Sequence, residues 1–600
     1  MNAMKHLLLW ALPPALATVA LAASSVPGNS NTLVVPEEYA TIKQALQEAQ
    51  PGDTVFLKAG TYREAVTLTS HIKLVGEDAN AVILQFDTAV ASALTVRDRQ
   101  DVVVSDLTIE DVRSQEKNTG NALVNVDGSV VVFERCHVSG AKGCGVLLAN
   151  AAQAVLRHCT IDGHRREGIT IAQEACDVTV QNSHISGNAH GLFVTGTDSV
   201  VAIEKCTVTS NRSCGIWMMS RNCRATISNC TIADNEHMGI EFGMWVSGSI
   251  EDNTIRANGK NGIKIKPICE NMNITGNYCV DNGANGIMIH MASEIAVEGN
   301  RCHGNKAAGI YVRGQKARVS VRDNTCEANG EQGICFYRGA TGTVVGNHCS
   351  TNKRDGIYLY DLTEPMTVER NVCTANEGAG VTLYQVAGGL VQANTCQENH
   401  RYGIFVKEND QTVTAQKNQC RRNWDAGIAL SKKTQATVED NTCNENGGNG
   451  VFCLRGAQVL AERNTCVRNQ RPGILVEDPN TVATLRGNRC QANNHSGILF
   501  LQGAHGAAEG NVCTDNRWSG IAVRGQGTDP TLSGNECRQN GAWGIISWAG
   551  ASPQIGDDNT TSGNWRGGTK HRANSNVPDT LLARNLRPPN RVDSVIRTSQ

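Results

Sequence analysis

The chain repeats one phrase, Asn-x-Cys-x-x-Asn followed by a Gly-Ile step, every 23 or 24 residues. One instance is Asn324-Thr-Cys-Glu-Ala-Asn329, which leads into Gly333-Ile334. A fixed period of this length is typical of a solenoid, in which each repeat buries its apolar face against its neighbours. The repeated cysteine stands at Cys279, Cys302, Cys326, Cys349, Cys373, Cys396, Cys420, Cys443, Cys466, Cys490, Cys513 and Cys537. Upstream, the same position holds Val138, Ile161, Ile185, Val208, Ile232 and Ile255.

The Gly-Ile step continues as a short alternating run, as in Gly309-Ile-Tyr-Val-Arg313. This alternation predicts a strand in which Ile310 and Val312 point inward while Tyr311 and Arg313 point outward. The frequent Asn and Gly residues predict turns between short strands and no long helix. We therefore predict an all-β parallel β-helix, with ladders of asparagine and a column of buried thiols.

The two ends of the chain depart from this pattern. Residues 1–22 carry a weakly basic start and a short apolar run, which predict a secretory signal peptide and a secreted or periplasmic protein. A linker is predicted at 23–32 and the β-helix at 33–565, with a short helix near 41–49 that covers its first coil. Residues 566–600 lack the repeat and are predicted to be a partly disordered tail.

The chain has 23 cysteines, a number that in an exported protein usually indicates a disulfide framework. Neighbours in the column, however, lie one strand spacing apart with parallel side chains, which disfavours disulfides. We expect packed, reduced thiols there. The better disulfide candidates lie outside the column: Cys144, Cys176, Cys214, Cys223, Cys269, Cys335 and Cys453. Neither a metal site nor a cofactor is predicted, since no Cys-x-x-Cys pair or compact Cys/His cluster is present.

The N-terminal coils carry motifs that resemble a known group of proteins. The motifs are Ala40-Thr-Ile-Lys-Gln-Ala-Leu46, Pro51-Gly-Asp-Thr-Val55, Ala59-Gly-Thr-Tyr-Arg-Glu64 and Ile72-Lys-Leu-Val-Gly76. They resemble the opening of the pectin-lyase-like superfamily, and most closely pectin methylesterases and periplasmic β-helix repeat proteins. The resemblance implies a right-handed parallel β-helix over nearly the whole chain. It implies little about chemistry, because many activities share this scaffold.

The catalytic phrases of such families are absent. Pectin methylesterases carry a Gln-Asp step and an Asp-Phe-Ile-Phe-Gly step, and this chain has neither. The Asp-Pro-His-Asp phrase of alginate epimerases is also missing, and the phrases of polygalacturonases are not reproduced. No catalytic residue can therefore be transferred from these families, and candidates must come from the strands themselves.

The outward positions of successive Gly-Ile strands form two columns rich in cationic and aromatic side chains, which we call the ribbon. Lysine and arginine suit uronate carboxylates, and tyrosine suits sugar rings, so the ribbon predicts binding of an acidic polysaccharide. A cation, a base and an acid side by side also suit β-elimination or C5 epimerisation. The candidate catalytic residues are Lys266, His290 and Arg313. The candidate substrate-binding residues are Glu241, Lys264, Tyr311, Tyr337, Tyr358, Tyr360, Tyr384 and Lys407.

Three alternatives stay open at this point. Outward positions of any β-solenoid favour Thr, Tyr, Lys and Arg, so the ribbon is also compatible with a purely structural role. A glycan-binding protein without catalysis is the second alternative, and a scaffold that binds protein partners is the third. The formal net charge of −2 gives no reason to expect nucleic acid or an anionic membrane surface as a partner, and no segment after the leader is long enough to span a bilayer.

The same outward columns become apolar near the end of the repeats. The residues concerned are Phe452, Leu454, Leu475, Leu499, Leu501, Ile546 and Trp548. If these seven residues form one contiguous apolar patch, we expect another part of the protein or a partner to cover it. The two candidates for the cover are tail residues 577–583 and a second subunit, which would make the protein a homo-oligomer through its C-terminal coils.

Overall fold

The computed structural model describes residues 30–86, 92–112, 122–315, 317–409 and 411–572. The chain divides into two compact units, Met1–Thr226 and Ile227–Gln600. In each unit, successive coils contribute short strands to three parallel sheets. We name them the Cys sheet, which carries the repeated cysteine, the Gly-Ile sheet, which follows it along the chain, and the third sheet. Both units are right-handed parallel β-helices, which confirms the predicted fold class.

The first unit contains the following strands, given sheet by sheet. The third sheet has Thr32–Val35, Thr54–Leu57, Lys73–Gly76, Val102–Ser105, Val130–Glu134, Gln153–Arg157, Asp177–Gln181 and Val200–Glu204. The Cys sheet has Gly60–Tyr62, Val82–Phe86, Thr108–Asp111, His137–Ser139, Thr160–Asp162, His184–Ser186 and Thr207–Thr209. The Gly-Ile sheet has Val66–Thr67, Leu94–Arg97, Val124–Asp127, Val146–Ala149, Ile169–Ala172, Leu192–Val194 and Ile216–Met218. A further strand, Cys223–Ser228, contains the boundary between the units.

The second unit repeats the arrangement. Its third sheet has Val246–Glu251, Glu270–Thr275, Ser293–Glu298, Arg318–Arg322, Thr341–Val345, Met366–Glu369, Gly389–Gln392, Val413–Gln416, Gln435–Glu439, Gln458–Glu462, Val482–Arg486, His505–Glu509, Thr531–Ser533 and Gln554–Ile555. Its Cys sheet has Thr231–Ala233, Thr254–Arg256, Tyr278–Val280, Arg301–His303, Thr325–Glu327, His348–Ser350, Val372–Thr374, Thr395–Gln397, Gln419–Arg421, Thr442–Asn444, Thr465–Val467, Arg489–Gln491, Val512–Thr514, Glu536–Arg538 and Thr560–Ser562. Its Gly-Ile sheet has Ile240–Phe242, Ile263–Ile265, Ile287–His290, Ile310–Arg313, Ile334–Tyr337, Ile357–Leu362, Val381–Val386, Ile404–Lys407, Ile428–Ser431, Val451–Leu454, Ile474–Glu477, Ile498–Leu501, Ile521–Arg524, Trp543–Trp548 and Gly567–Arg572.

One short helix, Ile42–Glu48, precedes the first full coil. The Thr41 hydroxyl accepts a hydrogen bond of 3.1 Å from the Gln44 N–H and so caps the N-terminus of the helix. Ile42 and Ala45 are buried, so the helix turns its apolar side toward the β-helix. No helix among the described residues is long and apolar enough to cross a membrane.

Ladders of buried asparagine run along the corners of the second unit. Asn324 is typical: its N–H and Nδ2 donate to Oδ1 of Asn347 on the next coil, at 2.9 and 3.0 Å. Its Nδ2 also donates to the Val297 carbonyl at 2.9 Å, and its Oδ1 accepts from Asn300. Each asparagine is therefore fully paired although it is buried, which a low-dielectric interior demands of a polar group.

The repeated cysteines stack in register, as the spacing predicts. Strand pairing places Cys279 beside Cys302 and continues coil by coil to Cys513 beside Cys537. All 23 cysteines are buried free thiols. The disulfide role suggested for Cys144, Cys176, Cys214, Cys223, Cys269, Cys335 and Cys453 is therefore wrong for this structure. Burial raises the pKa of the Cys453 thiol to about 12, so a thiol of this kind is inert in the folded protein.

Replacement of Cys396 by alanine is expected to lower the free energy of unfolding by only about 1 kcal/mol, because it leaves a small cavity in the column. Replacement by aspartate should be far more harmful, since a buried charge would have no partner. Urea unfolding measures both effects. A thiol count with Ellman's reagent should find few reactive cysteines in the folded protein and nearly all 23 after unfolding without reductant. Quantitative oxidation of the column would contradict the structure.

The repeats extend slightly further than the sequence indicates. The strand Gly567–Arg572 pairs with Trp543–Trp548, so the predicted tail boundary at residue 566 falls too early. The last coil has Thr561 in place of the repeated cysteine, so the Asn-x-Cys phrase gives no signal for the strand Gly567–Arg572. The predicted signal peptide, most of the predicted linker and tail residues 573–600 lie outside the described residues.

The apolar outward residues near the end of the second unit are mostly buried. Leu475, Leu499 and Leu501 are 4 to 5% exposed and form one cluster with Ala522. The partly buried residues that pack on this cluster are Phe452, Ile546 and Trp548. This confirms that six of the seven predicted residues are contiguous, since only Leu454 is not among them, and their burial agrees with a covered face. Whether the tail or a second subunit contributes to the cover stays a prediction.

Candidate functional site

The ribbon lies on the outward side of the Gly-Ile sheet in the second unit. Strand pairing sets its side chains one coil apart, as the sequence predicts. The register of the first column runs Glu241, Lys264, Met288, Tyr311, Cys335, Tyr358, Thr382 and Phe405. The second column runs His290, Arg313, Tyr337, Tyr360, Tyr384 and Lys407. Lys266 lies one coil before His290, directly after the strand Ile263–Ile265.

The ribbon is less exposed than outward strand positions suggest. Glu241 and Thr382 are each 5% exposed, and Cys335 is 3% exposed. The lysines, His290, Arg313 and the tyrosines are half-buried. The outward positions of the two columns are therefore partly covered, and not exposed as their place on the strands implies. Half-burial orders these side chains before a ligand binds, which lowers the entropic cost of binding.

One carboxylate organises the N-terminal end of the ribbon. Oε1 of Glu241 lies 2.6 Å from Nζ of Lys266 and 3.4 Å from Nζ of Lys264. Burial alone would raise the pKa of Glu241, but the two ammonium groups outweigh it and hold the pKa below its usual value. Glu241 is thus ionised at neutral pH and fixes both lysines. The three side chains together keep one positive charge.

His290 lies next to Arg313 on the following coil. Burial, with the positive charges of Arg313 and Lys264, holds the pKa of His290 below its usual value. The imidazole is therefore neutral at neutral pH and able to accept a proton. Burial also raises the pKa of Tyr311, which keeps its hydroxyl protonated as a possible donor.

The tyrosines of the second column pack on one another. The ring centroids of Tyr360 and Tyr384 lie 4.7 Å apart with the planes 26° from parallel, and those of Tyr337 and Tyr360 lie 5.3 Å apart. Nζ of Lys407 lies 4.4 Å from the centroid of the Tyr384 ring. The faces of these rings are thus largely used inside the stack. We expect a ligand to meet ring edges and hydroxyl groups rather than open ring faces.

The C-terminal end of the ribbon repeats the charge pattern of the first end. Oε1 of Glu408 lies 2.8 Å from Nζ of Lys432 and 3.8 Å from Nζ of Lys407. Burial opposes ionisation, but Lys432 and Lys407 hold the pKa of Glu408 below its usual value. Two lysines again surround one carboxylate and keep one net positive charge. The sequence pattern predicts Lys407 but gives no indication of Glu408 and Lys432. These two residues lie directly after the ends of their strands, outside the repeated positions.

Asp355 is a second side chain that sequence reasoning missed. It is half-buried, and its Oδ1 accepts a hydrogen bond of 2.6 Å from the Ala379 N–H. Burial raises the pKa of Asp355 to about 6, although hydrogen bonds from Ala379 and the Thr382 side chain oppose the shift. Its charge also acts on Tyr358, so it belongs to the ribbon. One feature of the sequence could have identified Asp355. It directly precedes the Gly of the Gly-Ile step, and every other coil between residues 261 and 543 has a neutral residue there.

Replacement of Asp355 by asparagine is expected to stabilise the protein at pH 7 by roughly 2 to 3 kcal/mol and to leave it unchanged near pH 4. The folded protein binds the Asp355 proton up to about pH 6, whereas the unfolded chain releases it near pH 4. The wild type therefore loses stability as the pH rises through this window, and the variant does not. Urea unfolding at both pH values measures the difference. Equal stabilities at pH 7 would show that the carboxyl is well solvated.

The model of the family described as "Right handed beta helix region" matches residues 78–223, 218–364, 343–489 and 472–578. No curated protein sequence matches the chain. The match to the family model confirms, at the level of the fold, the resemblance to pectin-lyase-like β-helices.

Three solved structures illustrate the likeness. The periplasmic alginate epimerase AlgG is 14% identical over 57% of this chain and 82% of its own, with a TM-score of 0.36. The A-module of the mannuronan C-5 epimerase AlgE6 from Azotobacter vinelandii is 17% identical over 55% and 95%, with a TM-score of 0.34. The PL6 family alginate lyase AlyGC is 12% identical over 90% and 100%, with a TM-score of 0.31. At these values the likeness concerns the fold alone.

Proposed function

Because the chain belongs to the family of right-handed β-helix regions, we propose that it is an exported protein that binds an acidic polysaccharide along the ribbon. The observation that carries this proposal is the spacing of the ribbon. It presents cationic and tyrosine side chains at two outward strand positions on consecutive coils, in columns that begin at Glu241 and end at Lys407. A linear polymer laid along it meets a new set of contacts about every 4.8 Å. The leader predicted at residues 1–22 supports export.

The charges of the ribbon favour an anionic polymer. At both ends, two lysines surround one buried or half-buried glutamate and keep a net positive charge. Arg313 adds a further positive charge between them and lies over the Tyr337 ring, with 5.8 Å from Cζ to the centroid. Uronate carboxylates are the matching groups on a polysaccharide, and charge-assisted hydrogen bonds to them are among the stronger polar contacts.

A second candidate, favoured by His290, is β-elimination or C5 epimerisation of the bound polyuronate. In this reaction the neutral imidazole of His290 takes the C5 proton, while Arg313 and Lys266 stabilise the negative charge that develops on the carboxylate. For elimination, the C5–H electron pair forms the C4–C5 double bond as the bond from C4 to the glycosidic oxygen breaks, and that oxygen takes a proton from Tyr311. For epimerisation, Tyr311 returns a proton to C5 from the opposite side.

The test is to mix the protein with alginate, pectate and a glycosaminoglycan. Calorimetry measures binding, absorbance of 4,5-unsaturated uronates measures elimination, and NMR measures epimerisation. We expect binding of at least one polymer, weakened by salt because the contacts are ionic. If none of the three binds, the proposal is wrong, and a scaffold for protein partners becomes the better explanation. Binding without turnover would remove the second candidate alone.

A further inference from the structure

Four apolar side chains lie in the turns that follow the first three strands of the ribbon: Met244, Trp245, Ile268 and Met291. Met244, Ile268 and Met291 are 42, 48 and 43% exposed, and Trp245 is half-buried. The Trp245 N–H donates to the Ile268 carbonyl at 3.2 Å, and the Ile268 N–H donates to the Met291 carbonyl at 3.3 Å. These bonds set the turns one coil apart, so the four side chains form a continuous row. We call this row the apolar strip.

The apolar strip is unfavourable for the fold itself. The backbone φ is +59° at Trp245, +69° at Ile268 and +50° at Met291, a left-handed conformation that disfavours large and above all β-branched side chains. On later coils, the position directly after the second column of the ribbon has the same conformation but holds polar residues: Arg338, Asp361, Gln385 and Glu408. Neither backbone preference nor exposure to water accounts for apolar residues here. Exposed and strained apolar groups in a row indicate contact with another molecule.

The apolar strip borders the cationic end of the ribbon. Ile268 stands two positions after Lys266, and Met291 directly follows His290. A Cβ atom placed on Gly314, on the next coil, would collide with Cγ of Met291 and would lie 3.5 Å from Cδ2 of His290. The methionine side chain and the imidazole therefore lie side by side, and a glycine at position 314 makes room for both. A ligand held by the ribbon at His290 thus also meets the apolar strip.

The size of the apolar strip and the charge beside it limit what it can bind. A stable protein interface takes roughly 20–30 residues from each partner, whereas the apolar strip is a single row on three coils. An anionic membrane surface is recognised by clusters of about four to eight basic residues. Lys264, Lys266 and Glu241 together keep only one positive charge. A linear polymer with carboxylates on one edge and apolar substituents on the other fits both rows at once.

An acetyl ester on a ring hydroxyl is the simplest substituent of this kind on a polyuronate. Its methyl group is apolar, and the uronate carboxylate stays free to pair with lysine. A methyl ester would instead remove the carboxylate charge, and the lysines would lose their partner. The observations therefore favour esters of the hydroxyl groups over esters of the carboxyl groups.

We propose that the apolar strip binds the O-acetyl groups of a partly acetylated polyuronate, whose carboxylates pair with Lys264, Lys266 and Arg313. This inference rests on the proposed function and names the class of polymer that the ribbon takes. Ile268 and the two methionines contact the acetyl methyl groups. Methionine is unbranched and adaptable, so it accommodates substituents at more than one ring position. The protein then selects acetylated segments over bare segments of the same polymer.

The test compares alginate and pectate before and after chemical O-acetylation, so that chain length and sequence are matched. By calorimetry, wild type should bind at least one acetylated polymer about tenfold more tightly than its parent, the effect of burying one or two methyl groups. The double variant Ile268→Asn/Met291→Gln should bind both forms as weakly as wild type binds the parent. Asparagine tolerates the left-handed backbone at position 268, so the melting temperature should not fall.

The matched control is Tyr278→Thr. Tyr278 is 37% exposed, but it lies on the Cys sheet and not beside the ribbon. It pairs with Thr254 on the preceding coil, so threonine suits this position. The control should keep the affinities of wild type for both forms of the polymer.

A second measurement does not depend on the double variant. In wild type labelled with ¹³C at the methionine methyl groups, acetylated mannuronate hexamers should shift the Met244 and Met291 signals more than unmodified hexamers do. Unshifted signals with a bound acetylated hexamer would exclude the apolar strip. Equal affinity of wild type for acetylated and parent polymers, or a preference that survives in the double variant, also overturns this inference and leaves the proposed function intact. If wild type binds neither form of either polymer, the proposed function fails and this inference fails with it.

Discussion

Replacement of Asn399 by alanine is expected to lower the free energy of unfolding by about 4 kcal/mol, a large part of the stability of an ordinary domain. Oδ1 of Asn399 accepts from N–H and Nδ2 of Asn376, at 3.1 and 3.0 Å. Its Nδ2 donates to the Cys373 carbonyl at 3.0 Å and to Oδ1 of Asn423 at 3.0 Å. Alanine removes all four bonds and leaves buried donors and a buried carbonyl without partners. Their desolvation, more than the lost volume, determines the effect.

The matched control is Asn444→Ala. Asn444 ends the strand Thr442–Asn444, two coils further along the same unit. It is half-buried, and its Oδ1 has no hydrogen-bond partner among the described residues. We expect its replacement to change the free energy of unfolding by less than about 1 kcal/mol. Chemical denaturation followed by circular dichroism measures both variants. Similar values for the two would mean that the ladder bonds add little beyond ordinary burial.

The fold could be predicted from the sequence because every coil is subject to the same physical demands. A parallel stack sets each residue above its counterpart, so Cys396 must pack against Cys373 and Cys420 once the period is known. The same logic placed Arg313 beside His290. Register in such a stack follows from periodicity alone, and a slip by one residue would bring Tyr311 and Arg313 into the core.

The chemistry of the ribbon could be predicted only in part, because it depends on side-chain reach and on the loops. Periodicity placed Glu241 beside Lys264 but gave no indication that it also pairs with Lys266. Asp355 lies in a turn of constant length, between Asn352 and Gly356, whereas Asn409 follows a Gly-Ile strand, where the length of the loop differs from coil to coil. Their burial, and hence the raised pKa of Asp355 and the lack of a hydrogen-bond partner for the Asn409 amide among the described residues, arises from three-dimensional packing that no repeat pattern encodes.

Simultaneous replacement of His290 and Arg313 by alanine is expected to weaken binding of a polyuronate about a hundredfold while the melting temperature stays within a degree or two of wild type. Both side chains are half-buried on the outward face, and the loss of a charge-assisted bond and a neighbouring polar contact accounts for the size of the effect. Calorimetry and a thermal scan on the same samples measure the two quantities. Unchanged affinity would remove the ribbon as the binding site.

Lys266 requires a different design, because its ammonium group also stabilises the fold. Its replacement by alanine takes the nearer of two ammonium groups away from the buried Glu241 carboxylate, so stability should fall by about 2 kcal/mol together with affinity. Addition of Glu241→Gln removes the buried negative charge and should restore most of the melting temperature. If Lys266 contacts the polymer directly, the double variant stays weak in binding although it is stable. Affinity that recovers with stability would instead show that Lys266 acts only by holding Glu241, and that the carboxylate of the ligand binds further along the ribbon, at Arg313.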